Sequence, residues 1–119
     1  LKLKKETNME KLYRCEVCGM ILEEGQLEDK CPKCGQPKEK YVEMSAEDAE
    51  KSRRSDYTND LHMELINLLN QIEDISNLGI EDNLDPSCVN VFKRAKAHAS
   101  LLKQYSKAEI AGHIAKGKW

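Results

Sequence analysis

Four of the five cysteines fall as two short motifs, Cys15-Glu16-Val17-Cys18 and Cys31-Pro32-Lys33-Cys34, with twelve residues between them. A C-x-x-C turn aims two sulfurs at one point, and two such turns supply the four thiolates of a tetrahedral metal site. Each motif is followed by a glycine, Gly19 and Gly35. Glycine there admits a positive φ and lets backbone amides approach the sulfurs. Pro32 fixes one φ inside the second turn. Two disulfides are the competing use of four cysteines, but in a reducing compartment the pattern reads as a metal site. Four thiolates suit zinc and iron alike, so ligand type alone leaves the metal open.

The elements that must position these thiolates are short. From about Glu10 to Met44 the apolar filling is Leu12, Tyr13, Val17, Met20, Ile21, Leu22, Leu27, Tyr41, Val42 and Met44. A segment of roughly 40 residues or fewer usually needs a metal or disulfides to fold. Bound metal supplies on the order of 10 kcal/mol to folding in such sites. Strands are predicted at 11–14, 20–22 and 41–44, forming a small antiparallel sheet beneath the site.

The stretch Tyr13-Arg14-Cys15-Glu16-Val17-Cys18-Gly19-Met20-Ile21 through Cys31-Pro32-Lys33-Cys34-Gly35-Gln36-Pro37-Lys38-Glu39-Lys40-Tyr41 resembles a rubredoxin domain, in the short-loop form found in rubrerythrins. The resemblance rests on the twelve-residue spacer, the C-P-x-C-G motif, the Pro-Lys that follows and the aromatic Tyr41. Met20 departs from it, because such domains often carry an aromatic there. The resemblance implies one iron bound by Cys15, Cys18, Cys31 and Cys34, shuttling a single electron. Amides near Val17, Gly19, Lys33 and Gly35 would then tune the sulfurs, with apolar cover from Ile21, Leu27 or Tyr41. With zinc the same site would be purely structural, a zinc ribbon whose helices carry the function.

After Met44 the pattern becomes helical. Ser45 is an expected N-cap before the acidic Glu47 and Asp48. A helix runs to about Arg54, and Ser55–Asn59 offers a break. The main helix then carries Leu61, Leu65, Leu68, Ile72 and Ile75, stepping by four and three, and Gly79 is expected to end it. Asp85 and Pro86 form the next N-cap and first turn. The second helix places Val91, Phe92, Ala95, Ala99, Leu102 and Tyr105 on one face. Ser106-Lys107-Ala108-Glu109 resembles a capping box and predicts a kink or a fresh helix to about Lys116, closed by Gly117. Two helices bury little alone, so self-association into a larger bundle is expected, packing on the metal domain or a larger partner being the alternative.

A comparison with rubrerythrin, whose helices hold a di-iron centre, finds no Glu-x-x-His motif here. His62 and His98 read as ordinary surface or core histidines, and the lone Glu109/His113 pair is not such a site. Cys88 sits in a predicted first turn, where a helix N-terminus lowers a thiol's pKa, but a small buried residue is the plainer reading. Residues 45–85 hold eleven acids and three bases, and residues 86–119 seven bases and one acid. Mutual neutralisation across the hairpin explains this. The sharper alternative makes Lys93, Arg94, Lys96, Lys103, Lys107, Lys116 and Lys118 a docking face for an acidic redox partner. No aromatic interleaving or recognition motif accompanies these bases, which argues against nucleic acid.

The whole chain has 119 residues and a net charge of −2. It has no eighteen-residue apolar run, so no membrane span is expected. The basic start leads into Glu6-Thr7-Asn8 with no apolar stretch, so no signal peptide is expected and the chain reads as cytoplasmic. The expectation is a flexible tail at 1–8, a small metal-bound rubredoxin-like or zinc-ribbon β domain at 9–44, and an all-α helical hairpin at 45–119 that dimerises or docks. One-electron transfer through a mononuclear Fe(Cys)4 site is expected, as a carrier or electron-entry subunit and not as a catalyst by itself.

Overall fold

A computed structural model describes residues 10–119, so the expected tail at 1–8 lies outside the described residues. Three short strands, β1 (Leu12–Cys15), β2 (Ile21–Glu23) and β3 (Tyr41–Glu43), form an antiparallel sheet in the order β2-β1-β3. The register sets Arg14 opposite Ile21 on one side and opposite Val42 on the other, and pairs Cys15 with Tyr41. The interior of this unit is slight: Leu12, Leu22, Cys15 and Cys31 are its buried side chains.

Two long helices follow, α1 (Ala46–Asp82) and α2 (Pro86–Ala115). The Ser45 hydroxyl accepts from the Asp48 amide at 3.1 Å, as the sequence predicts for an N-cap. The Asp85 carboxylate accepts from the Cys88 amide at 2.7 Å, with Pro86 in the first turn of α2. That amide hydrogen bond is the main reason the Asp85 carboxyl is held below its usual 3.8. Its folded pKa is depressed, so its stabilisation is present above pH 3.8 and is lost as pH falls through the lowered value. Asp85→Ala is therefore expected to lower the melting temperature at pH 7 and to have little effect near pH 2. Asp85→Asn, which keeps a capping oxygen, should fall between them.

Three helical expectations are corrected. Ser55–Asn59 does not interrupt α1, because Ser55 and Asn59 are small or polar residues buried on its inner face. The Ser55 hydroxyl bonds back to the Lys51 carbonyl at 2.9 Å, which satisfies it without breaking the helix. Gly79 does not end α1 either; Asn83 does, in the left-handed region at φ 49°. Gly79 instead makes room for the Phe92 ring, which lies 2.3 Å from where an added Cβ would be. At Ser106 the helix runs on without restarting, and the buried hydroxyl meets His62 Nδ1 at 3.1 Å. Gly117, at φ 73°, closes α2 as expected.

The largest correction concerns the faces. The helices meet through small and polar residues: Ala49, Ser52, Ser55, Asn59, Leu69 and Ser76 from α1, Ala99 and Ser106 from α2. Leu61, Leu65, Leu68, Ile72 and Ile75 are 36–60% exposed, as are Val91, Leu102 and Tyr105 to a similar or greater degree. Serine and alanine let two helix backbones approach closely, and heptad-spaced small residues outcompete the leucine stripe for that seam. Between the helices Lys103 Nζ pairs with Glu73 Oε1 at 3.2 Å and reaches Asn70 Oδ1 at 2.7 Å. Among the described residues no other ion pair crosses the hairpin, so its opposite charges mostly face solvent.

Candidate metal centre

Both cysteine turns are built alike. The Cys15 amide donates to the Met20 carbonyl at 2.9 Å and the Gly19 amide to the Cys15 carbonyl at 2.9 Å. In the second turn the Cys31 amide donates to Gln36 and the Gly35 amide to Cys31, both at 2.8 Å. Gly19 and Gly35 have φ of 79° and 76°, the left-handed conformation that closes each turn. The first turn is tied to the entrance of β3 by the Glu16 amide, which donates to the Lys40 carbonyl at 2.9 Å.

This geometry brings all four sulfurs within 4.8 Å of one another. Cys15 Sγ lies 3.6 Å from Cys34 Sγ, and Cys18 Sγ 3.6 Å from Cys31 Sγ. Metal–sulfur bonds of about 2.3 Å in a tetrahedron require edges of about 3.8 Å, so the cradle fits one metal ion. All four are free thiols rather than disulfides. Cys15 and Cys31 are buried while Cys18 and Cys34 are half-buried, so the site is anchored in the sheet and open on one edge.

The electrostatics also call for a cation. The Cys18 amide, aided by that of Val17, lowers the Cys15 thiol, and the Cys34 amide, aided by that of Lys33, brings Cys31 down to about 6. At Cys34 the Gln36 amide pulls the same way, but burial and the neighbouring sulfurs outweigh it and push that thiol up to about 11. Four sulfurs at this range cannot all ionise without a positive charge among them. Val17 and Lys33 supply amides as expected; those of Gly19 and Gly35 serve the turn carbonyls instead. The Tyr41 hydroxyl is buried and lacks a hydrogen-bond partner. Burial, then the negative charge of Cys31, raises it to about 12, so it stays protonated beside sulfur that can accept from it.

The other residues weighed from the sequence do not gather into a second centre. His62 and His113 meet inside the hairpin, edge to face at 6.2 Å, with His113 Nδ1 2.6 Å from Asn59 Oδ1. His98 is exposed. Cys88 is half-buried, and its thiol is raised by its hydrogen bond to Asp85, the opposite of an activated nucleophile. Among the described residues the four cysteines are the group of His, Cys, Asp and Glu side chains arranged to hold a metal ion, and no helix is long and apolar enough to cross a membrane. The inward pairing of His62 with Ser106 was hidden in the sequence, because the seam's small-residue heptad was masked by the more obvious leucines.

No curated protein and no solved structure matches the chain. Residues 13–42 match the family model described as the rubrerythrin, rubredoxin-like domain, so the four-cysteine metal site belongs to a rubredoxin-like module set ahead of a helical hairpin.

Proposed function

We propose that this protein carries single electrons through one iron held by Cys15, Cys18, Cys31 and Cys34, as a carrier or as the electron-entry part of a larger redox system. The observation that carries the reading is the cradle itself, four sulfurs at tetrahedral spacing with one edge, Cys18 and Cys34, towards the surface. Iron in four thiolates supplies an Fe2+/Fe3+ couple that needs little rearrangement. The amides of Val17, Cys18, Lys33 and Cys34 favour the more negative, reduced site. Val17, inside the first turn, is 54% exposed, which offers a redox partner an apolar contact beside the sulfurs. Four protein ligands leave no open position for a substrate, so the site transfers charge and does not catalyse bond chemistry.

Metal content and a visible spectrum test this, on protein from its native host or expressed with iron supplied, since overexpression loads zinc by availability. The expected result is one iron per chain and a red colour that bleaches on reduction and returns on oxidation. Colourless protein with one zinc per chain, even from the native host, would overturn it and leave a structural zinc ribbon whose hairpin binds a partner.

A further inference from the structure

The residues after α2 fold back onto α1. The Lys118 amide donates to the His113 carbonyl at 2.8 Å, and the Lys118 carbonyl accepts from Asn59 Nδ2 at 2.8 Å. The Trp119 carbonyl accepts from the Ser52 hydroxyl at 2.5 Å. Ser52 and Asn59 are 6% and 3% exposed, so buried groups of α1 fix the position of Trp119. Trp119 thereby becomes the third side of a cleft of about 560 Å3, whose other two sides are α1 and the metal module. Cavities of about 300–1,000 Å3 where two units meet are common binding places for small molecules.

The composition of the cleft narrows what it can hold. Leu12, Met20 and Ile21 of the metal module, Tyr57 and Met63 of α1, and Trp119 give it apolar and aromatic walls. Its charge is one-sided, with Glu23, Asp56 and Asp60 set against Arg53 alone. The Arg53 guanidinium donates to the Glu10 carbonyl. Among the described residues no ion pair neutralises Asp56 or Asp60, which stand one helical turn apart on α1. The Asp56 carboxyl is raised above its usual value by burial and then by the charge of Asp60. An uncompensated carboxylate pair next to aromatic rings favours a positive charge carried on an apolar body, and it disfavours phosphates and carboxylates.

We propose that this cleft binds a small organic cation, an ammonium or pyridinium group on an apolar or aromatic body, with its charge towards Asp56 and Asp60 and its body against Tyr57, Met20 and Trp119. Gly19 and Met20 line the same cleft, and the Met20 carbonyl accepts the Cys15 amide. An occupant therefore rests on the turn that carries Cys15 and Cys18. The cleft is the same whichever metal that turn binds, so the site stands or falls separately from the electron-transfer reading.

Titration of the full chain with benzyltrimethylammonium tests this, with zinc in the cysteine site to keep the protein colourless and diamagnetic. Trp119 is the only tryptophan of the chain, so its fluorescence reports the cleft directly. The expected result is a saturable change in emission, together with NMR shifts of the Gly19, Met20 and Tyr57 amides and none at Gly35 in the second turn. Benzyl alcohol, which has the ring without the charge, should bind at least about tenfold more weakly. Asp56→Asn combined with Asp60→Asn should weaken the cation at least about tenfold, each carboxylate being worth about 1 kcal/mol at 4 Å even in water. The pair repels itself, so this variant keeps its helix, which circular dichroism checks. Asp74→Asn, outside the cleft, should bind like the wild type. The absence of a saturable change, equal binding of benzyl alcohol, or an affinity that the double variant leaves intact or that Asp74→Asn lowers as far would overturn the proposal.

Discussion

Removing the metal from the four-cysteine site is expected to unfold residues 10–44 while leaving the hairpin helical. The β unit has strands of four, three and three residues and buries Leu12 and Leu22 beside two of the cysteines. Two leucines contribute about 3–6 kcal/mol if wholly transferred from water. Ordering the backbone of more than thirty residues costs on the order of 1 kcal/mol each, so the sheet is far from self-sufficient. The sulfurs make matters worse without an ion, since Cys31, lowered to about 6, puts negative charge in a buried place beside three other sulfurs. The helices pack through their own seam, so their helicity should survive a chelator. Amide exchange by NMR checks this: protection should vanish at Leu12, Leu22 and Cys31 and persist at Leu69 and Ala99. Retained protection at Leu12 and Leu22 in metal-free protein would sink the argument. Cys31→Ser should mimic metal loss more fully than Cys34→Ser, because Cys31 is 2% exposed and Cys34 half-buried.

The metal module was legible because its constraints are local. Two C-x-x-C-G turns dictate their own hydrogen bonds and glycine conformations; of the strands predicted at 11–14, 20–22 and 41–44, the first two lie one residue further along the chain and the third ends one residue earlier. The caps at Ser45 and Asp85 were legible for the same reason, a side chain bonding an amide three residues on. The hairpin seam was not. Its choice between the leucine stripe and the Ser52, Ser55, Asn59, Ser76 heptad depends on what the opposite helix presents, and α2 meets it with His113 against Asn59, Ser106 against His62 and Phe92 against Gly79. A period search finds both stripes on one helix but ranks the greasier first, because it knows nothing of a partner. Ser55–Asn59 and Gly79 were misread similarly, polar or flexible residues being taken as breaks when they are the contact surface.

Gly79 gives the other large expected effect, with its sign set by two opposing terms. Alanine in place of a mid-helix glycine ordinarily stabilises by about 1 kcal/mol. Gly112, in α2 with open space around its Cβ position, should show that gain on substitution to alanine. At Gly79 the same methyl would lie 2.3–2.4 Å from three carbons of the Phe92 ring, Cγ among them. Cγ is one bond from the ring's own Cβ, so it cannot swing clear without a new rotamer or a wider helix separation. Overpacking of this kind costs typically 1–3 kcal/mol, which outweighs the propensity gain. Gly79→Ala is therefore expected to destabilise the hairpin by up to about 2 kcal/mol net, while Gly112→Ala stabilises it. Thermal unfolding at one fixed protein concentration checks both, since association would otherwise shift the midpoint. Phe92→Ala, which removes Cγ with the ring, supplies the decisive cycle: if the ring is the obstacle, Gly79→Ala should cost less in that background than in the wild type. Equal costs in both backgrounds would mean that the penalty at Gly79 comes from the helix backbone and not from the ring packed against it.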